Sequence, residues 1–349
     1  MTAIAEQAQA ARRPGVAANN ARRFLGLMIC LAVLLVAVLA SIAVGSRDIP
    51  VPTVIDALFA YDDSNDHAIV RTLRLPRTVL GLLIGAALGT SGALIQALTR
   101  NPLADPGILG VNAGASFFVL IAVGYLGMTS LQSYIWFAFL GAIITTVMVY
   151  VVGSSGRNGA TPVTLTLAGV AIGAILGGVS TALTLLNPTA FDRMRFWAAG
   201  ALSGGTYEAV TTVAPFLIVG LLLAALMARP LNAVALGDDL AKSLGANIVR
   251  VRTVVVIAVT LLAGGATAAV GPIGFVGLMV PHVARWIVGP DQRWIMAYTV
   301  VLAPVLLLIS DIIGRIVMRP GEIQVAIVTA FIGAPVLILL ARRRKVSGL

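Results

Sequence analysis

Residues 78–99 read TVLGLLIGAALGTSGALIQALT, twenty-two positions without one charged side chain. A helix needs about 20 such residues to cross about 30 Å of hydrocarbon, and it satisfies its own backbone hydrogen bonds on the way. Stretches 24–45 and 163–186 have the same character. Working outward, the chain of 349 residues is 59% hydrophobic and 11% charged, where a soluble domain carries about 25% charged residues. Length alone would allow two soluble domains; the apolar runs exclude them. The sequence predicts an all-α integral membrane protein, a compact bundle of transmembrane helices.

Apolar runs place ten spans near 24–45, 78–99, 107–127, 134–152, 163–186, 209–227, 254–271, 273–288, 294–310 and 323–341. The eighth is short and holds Pro281, His282 and Arg285. With both termini cytoplasmic, most of the 24 Lys and Arg fall inside, among them Arg22, Arg23, Arg100, Arg229, Arg252 and Arg293. Asp48, Asp56, Asp62, Asp63 and Asp66 then fall outside, the asymmetry of the positive-inside rule. The net charge of +10 therefore reports topology, and a nucleic-acid partner has no support. Arg22-Arg23 before an apolar run has the outline of a twin-arginine signal. The run is longer than the roughly 7–15 residues of a signal's apolar region, and further spans follow, so it reads as a retained first span. Residues 1–20, rich in Ala and polar groups, are expected to form a disordered cytoplasmic tail. The ten-helix domain then covers 24–344.

Chemistry is sparse. Cys30 is the only cysteine and lies inside the first span, so no internal disulfide forms. No Cys/His cluster at ligand spacing suggests a metal, and no cofactor is expected on this chain. No nucleophile–base–acid set is visible, so no catalytic residue is assigned. There is no G-x-x-x-x-G-K-[ST] loop to cradle ATP. Nor is there an intramembrane carboxylate or charged relay of the kind ion-coupled carriers use. Energy is expected from another subunit. Glycine is patterned: Gly81, Gly85 and Gly89 recur every four residues with Gly92 beyond, and Gly169, Gly173 and Gly177 repeat the spacing. Both series predict close approach of helix backbones.

Four segments are polar or irregular where a plain membrane helix would not be. Arg71-Thr-Leu-Arg74-Leu-Pro-Arg77 puts arginines on the side where positive charge is disfavoured. They either dock an acidic partner through directional guanidinium–carboxylate pairs or snorkel to lipid phosphates. Asn101-Pro-Leu-Ala-Asp105-Pro-Gly breaks a helix at the inner face and returns the chain to the membrane. Asn112 and Ser116 follow at helical spacing, to line a path or bond a neighbouring helix. Residues 231–247 read as two short cytoplasmic helices separated by Gly237, with Asp238 as N-cap and Asp239 in the first turn. Leu240, Ala241 and Leu244 make an apolar face suited to a partner's groove; its acidic start argues against a lipid-lying helix. Gly271-Pro reverses the chain at the outer face ahead of His282. A lone histidine is more often structural than a ligand, and it is given no chemistry.

These segments carry a resemblance. Arg74-Leu-Pro-Arg77, Asn101-Pro-Leu-Ala-Asp-Pro-Gly-Ile-Leu-Gly110, Leu236-Gly-Asp-Asp-Leu-Ala-Lys-Ser-Leu-Gly245 and Gly274-Phe-Val-Gly-Leu-Met-Val-Pro-His282 occur in this order. Together they resemble the permeases of type II ABC importers, which import iron–siderophores, haem and vitamin B12. The similarity runs from about Phe24 to Arg344. Leu109-Gly-Val-Asn-Ala-Gly-Ala-Ser116, Arg195-Phe-Trp-Ala-Ala-Gly200 and Ser310-Asp-Ile-Ile-Gly-Arg315 look most like the ferric-enterobactin permease branch of the FecCD family. The outer loop 47–70 matches no motif.

The resemblance implies a multi-pass subunit of the bacterial cytoplasmic membrane. It would pair with a second permease as one half of a heterodimer. Two ATPase subunits would hold the ATP and Mg, and an extracytoplasmic siderophore-binding protein would deliver the cargo. On matching positions, Arg74, Arg77 and Arg315 are similar to the arginines that meet acidic residues of the binding protein. Leu236, Gly237, Asp238, Asp239, Leu240, Ala241, Leu244 and Gly245 are similar to the coupling helices seated on the ATPase. Haem or cobalamin is the alternative cargo. An ion-gradient carrier is the alternative class.

Overall fold

A computed structural model describes residues 16–17, 19–155 and 162–342. Among them the regular structure is helical throughout, without a strand. In chain order the helices are α1 (Asn20–Ala43), α2 (Val51–Phe59), α3 (Asn65–Thr99), α4 (Val111–Tyr125), α5 (Leu131–Ser154), α6 (Pro162–Leu186) and α7 (Pro188–Trp197). They continue with α8 (Tyr207–Ala235), α9 (Asp238–Ser243), α10 (Ile248–Val270), α11 (Val276–Val288), α12 (Gln292–Val317) and α13 (Val325–Arg342). Seven of them, α1, α3, α5, α6, α8, α10 and α12, are long and apolar enough to cross a membrane. The remaining expected segments, 107–127, 273–288 and 323–341, fall on the shorter apolar helices α4, α11 and α13.

α3 is the axle of the bundle. Its most apolar window is 83% buried by the rest of the chain, against 17% for α1 and α6. It packs on α12, α8, α11 and α10. Glycine makes this possible, because a helix surface without Cβ atoms lets a neighbouring backbone approach. A Cβ at Gly85 would lie 2.6 Å from Pro304 Cα, and one at Gly92 would collide with the carbonyl of Gly277. The first glycine series is thus a groove for α12 and α11. The second is not: around Gly177 no atom lies within 4 Å of an added Cβ, and Gly173 meets only Ala113 at 3.9 Å. Gly169 is buried and Gly173 half-buried, but Gly177 faces away from the rest of the chain, so the C-terminal part of this series makes no groove within this subunit.

Among the described residues, π turns at Ile69–Arg74 and Thr260–Gly264 interrupt α3 and α10 and one at Ile121–Tyr125 ends α4; such turns are frequent at functional sites. The expected tail over 1–20 lies outside the described residues as far as Gly15. At its described end, the Val16 and Ala17 amides donate to Trp286 O and Ile287 O at 3.3 and 2.9 Å, so that the chain docks on the last turn of α11.

The two glycine series give a direct comparison. Gly92→Ala should destabilise the chain by about 1–3 kcal/mol, since backbone on both sides leaves the methyl no room. Gly177→Ala should stay within about 0.5 kcal/mol. Thermal unfolding of the two variants in detergent measures both, and equal melting temperatures would contradict the packing described.

Candidate functional site

The two ends of α3 hold the polar residues, and each end is organised by charge. At its N-terminal end the chain leaves α1 with the usual set of carbonyls that no helical amide can reach. Two arginines take them. Arg74 donates through Nη1 to Ile42 O and Ala43 O at 3.1 and 2.5 Å, and through Nη2 to Arg47 O at 2.5 Å. Arg315 donates through Nη1 to Ser41 O and Val44 O, both at 2.8 Å, and through Nη2 to Ser41 Oγ at 2.9 Å. A cation at a helix C-terminus is favoured by the dipole as well as by the hydrogen bonds.

Asp311 joins the arginines. Its carboxylate accepts from Arg77 Nε and Nη2 at 3.0 and 2.7 Å and from Arg315 Nη2 at 2.6 Å. Arg77 also reaches Glu322 at 2.8 Å, across the turn between α12 and α13. α1, α3, α12 and that turn are therefore tied by one network. The Asp311 side chain is 1% exposed, that of Arg315 2% and that of Arg77 12%.

The structure places Arg74 and Arg315, read above as outward-facing docking groups, inside the chain. Both guanidiniums are buried and spent on backbone carbonyls and Asp311. Arg77, with Glu322 beside it, is the one of the three that reaches the rim. Asp311 also corrects the expectation that no carboxylate lies in a span. Its signal was present, an acid in an apolar run four residues before Arg315. It is fully engaged by two arginines, which distinguishes it from a free proton or ion relay.

The C-terminal end of α3 meets the 236–245 segment. Arg100, the left-handed cap of α3, bonds Val234 O at 2.8 Å and pairs with Asp238, which Arg252 Nη2 also reaches at 2.7 Å. The expected pair of short helices is corrected to one. Residues 231–235 are the last turns of α8, because Pro230 sits inside that helix without ending it. Asp238 is not the N-cap either: Gly237 occupies that position at φ +112°, which an L side chain resists, and frees Asp238 for its two arginines. Gly245, at φ +82°, turns the chain out again.

Between these glycines Ala241 is fully buried and Leu240 and Leu244 are 49% and 63% exposed, while Leu236, just before Gly237, is 61% exposed. The result is a short turn with an ionic base and apolar knobs pointing away from the bundle. Next to it, Asn232 Nδ2 and Arg293 bond Asp291. Burial works to raise the Asp291 carboxyl, but the bonds from Arg293 and Asn232 outweigh it and hold the group below the usual range.

Between the two ends, Asn112 Oδ1 accepts from Thr267 Oγ1 at 3.3 Å, which joins α4 to α10. Ser116 follows one turn later, half-buried on α4. A further polar contact escaped the sequence: Gln96, wholly buried on α3, donates to Leu278 O at 3.0 Å and accepts from Arg285 at 3.4 Å. His282 lies edge-on to Trp286, with ring centroids 4.9 Å apart. Among the described residues no group of His, Cys, Asp and Glu is placed to hold a metal ion.

Comparison with known proteins identifies the family. Residues 33–343 match the FecCD transport family. The chain is similar to the ferric enterobactin transport system permease protein of Escherichia coli (strain K12), 46% identical over 95% of this chain and 98% of that protein. It is similar to the iron(3+)-hydroxamate import system permease protein of Bacillus subtilis (strain 168), 41% identical over 87% of this chain and 79% of that one. A solved metal-chelate type ABC transporter in an inward-facing conformation superposes with a TM-score of 0.79 at 25% identity, over 90% of this chain and 98% of that chain.

Removing one partner from a buried ion pair leaves the other uncompensated, at about 3–5 kcal/mol. Asp311→Asn strands Arg315 and leaves Arg77 with Glu322 as its remaining carboxylate, and should destabilise the chain by that amount. Neutralising the exposed Arg47, whose pair with Asp66 is open to water, should cost less than about 1 kcal/mol. Thermal unfolding of the two variants compares them, and a stable Asp311→Asn chain would show that the network is dispensable.

Proposed function

The chain belongs to the FecCD transport family, and on that premise we propose that it is the permease subunit of an ATP-driven importer of iron(III)–siderophore complexes. The relatives' cargoes support this: ferric enterobactin in one named permease, an iron(III)–hydroxamate in another. We take α4, α11 and α13 to complete ten spans with the seven long helices, with both termini cytoplasmic. The Arg77 end then faces outward and the Gly237 turn inward.

The observation that bears on energy coupling is the Gly237–Gly245 turn. Exposed Leu240 and Leu244, with Leu236 just ahead of the turn, form a knob on an ionic base, which suits a groove on a separate ATPase that holds ATP and Mg. A second permease, most simply as a heterodimer, and a siderophore-binding protein complete the assembly. We infer that the binding protein docks at Arg77 and Glu322, the open edge of the arginine network. Arg74 and Arg315 act by holding the end of α1 beneath it. Asn112 and Ser116 remain the proposed lining of the path. An ion-gradient carrier is disfavoured because Asp311, the carboxylate buried within a long apolar helix, is saturated by Arg77 and Arg315.

Growth of a deletion strain under iron starvation, fed single siderophores, tests the cargo. Restoration by the plasmid-borne chain is expected with at least one iron(III)–siderophore and with neither haem nor cobalamin. Coupling is tested by Leu244→Asp. Because Leu244 is exposed, the change should leave the melting temperature unmoved. Yet it replaces an apolar knob worth roughly 1.5–3 kcal/mol of burial with a carboxylate that resists desolvation. Uptake should fall at least ten-fold, and normal uptake by a correctly inserted Leu244→Asp chain would remove this turn from coupling.

A further inference from the structure

On the outside of the bundle, α8 and α12 diverge over α3 and leave a groove of about 580 Å³. Leu221, Ala225 and Leu226 form one wall and Met296, Ala297 and Val300 the other. Arg229 and Arg293 stand together at one end, the end that also bears the Gly237 turn. Arg229 is eight residues from Leu221 on α8, and Arg293 is seven from Val300 on α12. At 1.5 Å per residue the groove therefore runs about 10–12 Å from the arginines into the apolar zone. No other charged side chain lines it, and the hydroxyl of Thr90 is the polar group at its floor.

Arg229 is exposed and makes no ion pair among the described residues. Arg293 holds Asp291 through Nε and Nη2 at 3.2 and 2.9 Å, yet its side chain is 54% exposed. Two guanidiniums against one carboxylate leave the mouth with a net positive charge. A site with a cation at the membrane surface and an apolar slot behind it has the polarity profile of an anionic lipid: phosphate first, acyl chain beyond. Arginine suits phosphate because its planar fork offers paired donors, and basic pockets between transmembrane helices take up acidic head groups. The slot's length argues against a protein occupant, since a spanning helix would need about 30 Å of matching surface.

We propose that this groove binds one anionic phospholipid, its phosphate between Arg229 and Arg293 and an acyl chain against Leu221, Ala225, Ala297 and Val300. The site lies apart from the Asp311 network and Asn112, with its mouth at the end of the bundle that bears the Gly237 turn, and it does not depend on which cargo is carried.

The test uses the full-length chain in detergent, stripped of lipid and titrated with dioleoyl phosphatidylglycerol or dioleoyl phosphatidylcholine under native mass spectrometry. Phosphatidylglycerol should bind at least ten-fold more tightly than phosphatidylcholine. Arg229→Gln with Arg293→Gln should abolish that preference without lowering the melting temperature. Ala225→Trp, which fills the slot and leaves the charges intact, should weaken both lipids. Equal binding of the two lipids to the unaltered chain, or an unchanged preference in the double variant, would overturn the proposal. So would displacement of phosphatidylglycerol by millimolar inorganic phosphate, which would mean that the mouth reads phosphate and the slot contributes nothing. A disulfide from Ala297→Cys (in a Cys30→Ala background) to a second chain in the membrane would put protein in the groove and equally sink the idea.

Discussion

A polar group inside hydrocarbon has no water to fall back on, and leaving one unpaired costs several kcal/mol. That constraint shapes this bundle more than any single contact. It explains why the described regular structure is helical, and it explains the network at Asp311. α1 ends with bare carbonyls between two other helices. Arg74 and Arg315 reach those carbonyls, but a buried guanidinium then needs an anion. Asp311 supplies it, and its second oxygen draws in Arg77, which finds Glu322 at the rim. Each group is present because the preceding one would otherwise be stranded. The same logic governs the opposite end, where Asp238 stands between Arg100 and Arg252.

Much of the architecture was legible because the period of an apolar helix and the polarity of its breaks are local properties. The run at 78–99 identified a span, which the structure makes the axle of the bundle, and Gly81, Gly85, Gly89 and Gly92 marked its contact face. The Asn101–Gly110 break appears as a left-handed residue at Arg100 followed by a short 3₁₀ turn at Pro106–Leu109. What was not legible depended on contacts distant in sequence. Gly173 and Gly177 carry the same spacing as the first series, yet nothing in the sequence says that α6 presents Gly177 away from its own chain. Arg74 and Arg315 looked like surface charges because a guanidinium's partners are backbone carbonyls, which every residue has and no motif records. Asp238 looked like a cap, by the usual preference at helix starts, until the two arginines 138 and 14 residues away in sequence claimed it.

The groove between α8 and α12 shows the limit from the other side. Arg229 and Arg293 each read as ordinary inside-positive residues, and their sequence positions justify nothing more. Only the divergence of two helices over α3 sets them side by side above an apolar slot. A cation counted once toward topology thereby acquires a second, spatial meaning, which the positive-inside rule neither requires nor forbids.

The two polar ends are not independent, because one element joins them. α3 holds Arg74 and Arg77 at its start and is capped by Arg100 at its finish, 26 residues from Arg74 and so about 39 Å along the axis. Its apolar window is buried against four neighbours, and at Gly85 and Gly92 backbone meets backbone with no side chain to deform. A close-packed contact of that kind does not absorb displacement gradually. Force applied at the Arg77–Glu322 rim must then either break the Asp311 network or move α3 as a body, and Arg100 hands any such movement to Asp238 and the leucines that flank it. The π turn at Ile69–Arg74 lies just ahead of this rigid section. The geometry thus separates a rim that adjoins a π turn from a stiff axle within one helix, an arrangement that suits the importer proposed above.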